Sequence, residues 1–522
     1  MNIRERIKQK KYDIIICILL IIISSAVRII LIDKLPMGLH GDEGWTGIDA
    51  RKIIKNGYIP VYVDSAAGQP AGPLYLTALF FKLFGTSIFT LRSSMACFGI
   101  ATIPLFYIFL RLFFDKISSS LTALALSLSL YHIHYSRLAF MLISVPFTQL
   151  LSLIFYILGR RKHNMLYIIL SAVFTGLTIY TYNTATVFIA TIFLLITIDS
   201  GICKKHKIIF LLIFFITISP LIHLMITSPD LYFAHARGVT IYSNEHLPQK
   251  GMVNKTKAIV KNGTDNMFNF FNGGYFDAVD TFGKYYTFNS FYISLSFFGI
   301  ILGLREKRKS CLFFAYSFFF CFFFICTVSA GHGIYRRLIV CLVYLYFFMA
   351  LAINSILYKL AKSDYKKFLT HIFIIIVFFS SAINIFTYLY KYARDPESYY
   401  FIGPGRTEAA LYINSISDKS TKILYFSNMD SINYESYRFI LYDFIEREDR
   451  AKEFAGEKCE ITDEIINSVK DKISDEKDLN TLKSVKDKIL RKDILTTYLK
   501  EKNFNDEKIG MSVIDKSTIK PY

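Results

Sequence analysis

Residues 14–32 read IIICILLIIISSAVRIILI, and residues 33–45 continue DKLPMGLHGDEGW. The first stretch is long and apolar enough to cross about 30 Å of hydrocarbon as a helix. The second places two adjacent carboxylates, a histidine and the only tryptophan a few residues beyond its end. Uniform apolar runs recur at 88–114, 118–135, 138–158, 165–183, 184–199, 208–227, 288–304, 311–330, 338–357 and 368–389. They predict a polytopic α-helical membrane protein with about 11 transmembrane helices, and 73–84 is a shorter apolar stretch. The composition agrees: of 522 residues 53% are hydrophobic, with 49 Phe and 35 Tyr. No small-residue cleavage site follows the first run, which reads as a retained anchor.

A net charge of +19 raises nucleic acid as a partner. The placement of the charge argues against it. Basic clusters at 4–11, 160–163, 204–207, 305–309 and 359–367 fall on one side of an eleven-span chain, with the turn at 115–116. That is the positive-inside pattern. It predicts a multi-pass cell-membrane protein with a cytoplasmic N-terminus. The first loop, 33–87, a second large loop, 228–287, and a tail from 391 then face outward. Of eight cysteines only Cys459 falls outside the membrane and the cytoplasm, so a disulfide framework is not expected and the rest read as packing residues.

Two domains are expected, 1–390 in the membrane and 391–522 as a small extracytoplasmic α/β domain. In the first loop DARKIIKNGYIP predicts a short amphipathic helix stopped by Asn-Gly and Pro, and GQPAGPLY a turn into an interfacial helix. In the tail RTEAALYINSIS and SINYESYRFILYDFIERE read as helical, TKILYFSN and GMSVIDK as strands. SVKDKI occurs twice, at 468–473 and 484–489, and suggests a charged helical hairpin.

Four clusters could carry chemistry. Asp42 and Glu43 sit between glycines, flanked by His40 and Trp45. An outward carboxylate beside lipid can take a proton from a hydroxyl, or bind a metal or a cation; a solvated loop pair is the plainer reading. Arg28 lies near the outer end of the first run, where snorkelling to the interface would satisfy it. YHIHYSR, 131–137, holds His132 and His134 two apart, on different faces of a helix and so a weak metal pair. Its aromatics read as interfacial anchors, and Arg137 is placed to meet a lipid phosphate. GHGIYRR, 331–337, puts Arg336 and Arg337 on the outer side, against the positive-inside trend, which an anionic ligand would explain. No Walker loop, Rossmann glycines or HExxH motif offers a pocket for a soluble nucleotide.

Arg28, LPMGLHGDEG, the helix at 49–57, GQPAGPLY and LFGTSIFTLRSS together resemble the opening of a bacterial membrane glycosyltransferase of the GT-C fold. The group is the polyprenyl-phosphate-sugar-dependent class, with the family 39 protein mannosyltransferase relatives and the lipid A aminoarabinose transferases. The resemblance runs on through YHIHYSR, GLTIYTYNTATVF and GIYRRLIVCLVYLYFFMALAI, covering about residues 12–357. It implies Asp42 as catalytic base with Glu43 as neighbour, a sugar donor on a polyprenyl phosphate, and outer arginines on that phosphate: Arg137, Arg336 and Arg337. His40, Trp45, His132 and Tyr75 are supporting candidates. The acceptor would be a glycan, lipid or protein hydroxyl, and a single displacement would invert the anomeric centre. A divalent metal near Asp42 stays open, because no complete ligand set is visible. One departure stands out: the aminoarabinose transferases carry Lys-Pro-Pro-Leu where this chain has GQPAGPLY. The rival reading is a polytopic transporter or flippase of lipid-linked glycans, which would prefer charge deep within its spans.

Overall fold

The apolar runs are mostly helical where the chain is described. The computed structural model describes residues 3–57, 59–242, 251–272, 289–330, 333–360 and 365–392, and in the tail 407, 411, 422–426, 439–440, 458–459, 490–491 and 511–515. The chain divides into two units, one of Met1–Pro36 with Asp49–Phe401, the other of Met37–Ile48 with Ile402–Tyr522.

The first unit is a helical bundle. Its order is α1 (Ile3–Ile29), the later turns of α2 (Gly41–Asn56), α3 (Leu74–Phe84), α4 (Ile88–Arg111), α5 (Lys116–Ser127), α6 (Leu130–Arg137), α7 (Ser144–Lys162), α8 (Met165–Ile179) and α9 (Thr186–Ile198). Then follow α10 (Lys204–Thr227), α11 (Pro229–Val239), α12 (Met252–Asn272), α13 (Ser290–Glu306), α14 (Lys309–Val328), α15 (Ile334–Arg337), α16 (Leu342–Leu360) and α17 (Lys366–Phe386). Helix α4 packs against α1, α3, α5, α6 and α7. Helix α16 is buried at every residue from Leu342 to Ile353. Helix α13 lies along α16 so closely that a Cβ at Gly299 would stand 1.9 Å from the Phe348 carbonyl oxygen. Small residues allow this kind of backbone approach between membrane helices. Phe109, Phe113, Phe314 and Phe347 join α4, α14 and α16, with centroids as close as 4.3 Å for Phe314–Phe347. Part of the high Phe content is thus core packing.

The rim is apolar in the opposite direction. Helices α1, α10 and α17 present Ile18, Ile22, Leu212, Ile216, Phe378 and Phe379 outward. A water-soluble chain rarely exposes contiguous apolar surface on that scale, whereas lipid accepts it. Among the described residues seven helical stretches are long and apolar enough to span a membrane, with α3, α8 and α9 as shorter apolar helices. The expected eleven are not all reached by that measure. The run at 118–135 is not one helix: it breaks at Leu128 and Ser129, and Ser129 is extended. The interfacial-anchor reading of YHIHYSR is also corrected, because every residue of α6 is buried. A polar segment at this depth needs protein partners in place of water.

Three arginines show what those partners are. Arg28 does not snorkel; it is fully buried and donates to the carbonyls of Ser24 (3.1 Å) and Ser127 (3.0 Å) and to His132 Nδ1 (2.7 Å). Arg137 donates to four carbonyls, those of Val27, Arg28, Leu31 and Leu35, at 2.8–3.1 Å. Arg92, from α4, reaches Ile32 O at 3.0 Å and Pro36 O at 2.8 Å. The last carbonyls of α1 have no intrahelical partner, so two guanidinium forks cap α1 and fasten the chain as far as Pro36.

Around this end the first loop folds back on itself. β1 (Tyr62–Val63) pairs antiparallel with β2 (Gln69–Pro70), with Tyr62 opposite Pro70. Gly72 donates its N–H to Tyr180 O at 2.9 Å, and a Cβ there would lie 2.5 Å from that oxygen. Asn183 donates to Gly68 O at 3.1 Å, and the Tyr62 hydroxyl points to Asn183 Oδ1 and Tyr232 O, each at 3.3 Å. Burial pushes that hydroxyl up to about 12, so it stays a donor at neutral pH.

In the second unit β3 (Lys422–Phe426) pairs antiparallel with β6 (Met511–Asp515), Lys422 opposite Asp515, and β4 (Lys458–Cys459) with β5 (Leu490–Arg491). Both expected strands therefore form, and they pair with each other. The SVKDKI repeats lie outside the described residues, as does most of the two tail segments expected as helices.

The clamp predicts that Arg137→Met lowers the thermal midpoint in detergent. It leaves four carbonyls without their donor, a loss of about 3 kcal/mol or more at roughly 1–3 kcal/mol per unsatisfied group. Arg137→Lys recovers only part of it, because an ammonium cannot fork between carbonyls.

Candidate active site

The stretch GLHGDEGW is not a loop throughout. Helix α2 begins at Gly41, eight residues before the sequence-based helix at 49–57, and ends as expected before Gly57, whose φ is +61°. Its first turn explains how a glycine-rich segment becomes helical. His40 stands at the cap. Its Nδ1 accepts the Asp42 N–H at 3.1 Å, and Glu43 Oε2 accepts the His40 N–H at 3.0 Å. This is a reciprocal capping box, with histidine where serine or threonine is usual. The H-x-x-E spacing was the available signal for it.

The box separates the two carboxylates. Glu43 is fully buried and helps close the helix end. Asp42 is one position earlier, and its side chain keeps 39% of its exposure. His40 Nδ1 uses its lone pair on an amide, so the proton of the neutral ring is on Nε2. Asp42 Oδ2 also approaches His40 Nδ1 to 3.8 Å. Asp42 also sits where a helix N-terminus favours negative charge. Trp45 is half-buried one turn on.

Within the same unit the tail supports this stretch. Thr407 Oγ1 accepts the Leu39 N–H at 2.7 Å, and both residues are buried. The Phe439 ring fills the space a Cβ at Gly47 would need, 2.3 Å away. The buried carboxylate of the later turns is Asp49, which sequence reasoning passed over. It accepts from Ser65 Oγ and lies 3.8 Å from Lys52, so it ties α2 to the turn before β2.

In the first unit α6 and α15 meet. Tyr131 donates to Tyr335 O at 2.6 Å, and Tyr335 donates to Asn269 O of α12 at 2.6 Å. Gly333 opens α15 with φ +88°, a left-handed turn that suits glycine. The short helix then holds Arg336 half-buried, its guanidinium 5.2 Å from the Phe140 ring centroid. Arg337 is nearly buried and donates to Ala330 O at 3.3 Å. So the YHIHYSR and IYRR motifs come together. Arg137 differs from its neighbours: its guanidinium is committed to the carbonyls of α1 and the residues after it, and lies 5.8 Å from the Tyr388 ring centroid. His132 is committed to Arg28. Tyr75 donates to Pro60 O at 2.6 Å and fastens α3 to the stretch before β1. Among the described residues no group of three or more His, Cys, Asp or Glu is arranged to hold a metal.

Residues 68–223 match the family profile described as dolichyl-phosphate-mannose-protein mannosyltransferase. No curated protein matches the chain. Among solved structures, ArnT from Cupriavidus metallidurans in the apo state matches at 14% identity and a TM-score of 0.53, over 81% of this chain and 84% of that one. The same protein bound to undecaprenyl phosphate matches at 14% identity and a TM-score of 0.52, again over 81% and 84%. A bundle of apolar helices, a structured first loop and these likenesses lead to one conclusion: the chain is a polytopic membrane protein of the GT-C fold, similar to the mannosyltransferase and aminoarabinose-transferase group of glycosyltransferases.

Proposed function

We propose that this chain is a membrane glycosyltransferase that moves a hexosyl or pentosyl unit from a polyprenyl-phosphate carrier to an acceptor hydroxyl. The observation that carries the reading is a mannosyltransferase-family segment, 68–223, set within a GT-C fold. The donor class is supported by the relatives' own ligands, a dolichyl-phosphate-linked mannose in one name and undecaprenyl phosphate in the other. Transfer takes place on the outer face of the cell membrane, with the N-terminus cytoplasmic. Residues 1–390 form the catalytic part, and 391–522 an extracytoplasmic α/β domain that selects a glycan, lipid or protein acceptor.

Asp42 takes the proton of the acceptor hydroxyl as its oxygen attacks the anomeric carbon. The bond from that carbon to the phosphate oxygen breaks, the polyprenyl phosphate leaves with the electron pair, and the configuration inverts. Charge grows on the leaving phosphate, and Arg336 and Arg337 supply donors for it. The capping box favours Asp42 over Glu43 as the base, because Glu43 is buried at the helix end. Arg137 is better placed to hold the chain that leads to the loop than to hold phosphate. A transporter of lipid-linked glycans would need charge free to line a path, and the guanidinium groups of Arg28 and Arg137 are bonded to backbone carbonyls instead.

Sugar transfer in membranes from a panel of labelled polyprenyl-phosphate sugars tests the reading. Asp42→Asn should lower kcat by about 10²–10⁴-fold, the usual worth of a general base, with donor KM little changed. Wild-type rates from that variant would remove Asp42 from the chemistry. Arg336→Gln should lower kcat/KM for the donor by about tenfold or more for one lost charge-assisted bond, with kcat falling because that bond strengthens as the phosphate leaves.

A further inference from the structure

Away from the candidate site, α7, α9 and α14 leave a cavity of about 800 Å³ between their ends. Its walls are apolar, with Leu153 and Ile157 from α7, Leu195 and Ile198 from α9, and Leu312 and Phe313 from α14. It opens sideways, since Ile198 and Leu312 keep 65% and 40% of their exposure. Its charged groups all stand at one end: Arg160 and Arg161 in the last turn of α7, Asp199 just beyond α9, and Lys309 at the start of α14.

The charges at that end do not cancel. Asp199 accepts from Arg160 Nε at 2.6 Å, from the Tyr156 hydroxyl at 2.9 Å and from the Gly201 N–H at 2.8 Å. The acid is therefore neutralised by Arg160 alone. Arg161 places one Nη2 bond on Leu112 O at 2.8 Å and rests 5.4 Å from the Phe113 ring centroid, and it is otherwise exposed. Lys309 is exposed and has no carboxylate partner among the described residues. Two cations are left over at the mouth of an apolar trench.

The trench descends from Lys309 to Tyr316, roughly 10 Å at 1.5 Å per helical residue, which is most of one leaflet's hydrocarbon. It cannot be the place where Arg336 would meet a donor. Lys309 begins α14, whereas the chain reaches α15 only after α14 ends at Val328, roughly 30 Å further along that helix. We propose that this groove binds an anionic phospholipid of the leaflet next to the basic loops. Its headgroup phosphate lies between Arg161 and Lys309, and an acyl chain lies against Leu153, Ile157 and Ile198. A zwitterionic headgroup would bring its own cation to the same two residues and lose the advantage.

The test uses the whole purified chain in detergent. Native mass spectrometry and thermal unfolding read the binding of phosphatidylglycerol against phosphatidylcholine. Phosphatidylglycerol should stay bound and raise the unfolding midpoint, and phosphatidylcholine should not. The double variant Arg161→Gln with Lys309→Gln should weaken phosphatidylglycerol at least about tenfold. Its midpoint in phosphatidylcholine should match wild type, which shows that it folds. Ile198→Trp, which fills the trench and keeps both cations, should also reduce binding. Equal retention of the two lipids by wild type, or an unchanged affinity in the double variant, would overturn the proposal. So would displacement of phosphatidylglycerol by equimolar undecaprenyl phosphate, which would make the carrier lipid the occupant.

Discussion

A membrane helix that ends inside protein leaves its last carbonyls without water. At the end of α1 the problem is solved by guanidinium groups. Arg137 from α6 and Arg92 from α4 between them hold carbonyls from Val27 to Pro36. Much of the first unit follows from that arrangement. Helix α6 must be buried to bring Arg137 to α1, so its flanking Tyr and His residues are buried with it. The break after α5 turns α6 away from the path of a single long span. The same solution recurs at the end of α14 with amides: Asn262 and Asn266 of α12 donate to the carbonyls of Cys326, Thr327 and Ser329. These arginine and asparagine side chains close helix ends, and that use is structural before it is chemical.

The same distinction separates the two carboxylates of the first loop. Side by side in sequence, they differ by one position in a helical turn, and that position decides their surroundings. The third residue of a helix can reach back to the cap amide, and Glu43 does so and is buried. The second residue offers its own amide to the cap side chain, and Asp42 keeps its carboxylate partly in the open. Adjacent acids in a loop are often treated as interchangeable. Here backbone geometry makes one of them a fastening and keeps the other partly exposed.

The apolar runs were legible because lipid imposes a simple rule on composition and length. Their helical character and the stop of α2 at Gly57 were readable for that reason, as were the tail strands TKILYFSN and GMSVIDK. What escaped were places where a polar residue answers to a distant backbone group. YHIHYSR looks like an interface cluster, since nothing nearby in sequence shows that α1 ends against it. Arg28 looks able to reach water, and only the fold supplies Ser127 O and His132 beside it. The start of α2 was missed because three glycines outweighed the H-x-x-E spacing. That the Leu39 N–H meets Thr407, far along the chain, has no local signal.

Arg336 and Arg337 can be weighed in the same way. An arginine within a membrane bundle needs a reason to be there, and closing a helix end is one. Arg137 shows that reason fully, with its guanidinium spread over four carbonyls. Arg337 shows it in part, with a bond to Ala330 O. Arg336 stands differently: it is half-exposed, set over the Phe140 ring, on a helix of four residues that a left-handed glycine starts. An aromatic face steadies a guanidinium without using up its N–H groups. Within this arginine-rich end the ring beneath Arg336, more than the count of charges, sets it apart from the carbonyl-bound Arg137 and Arg337.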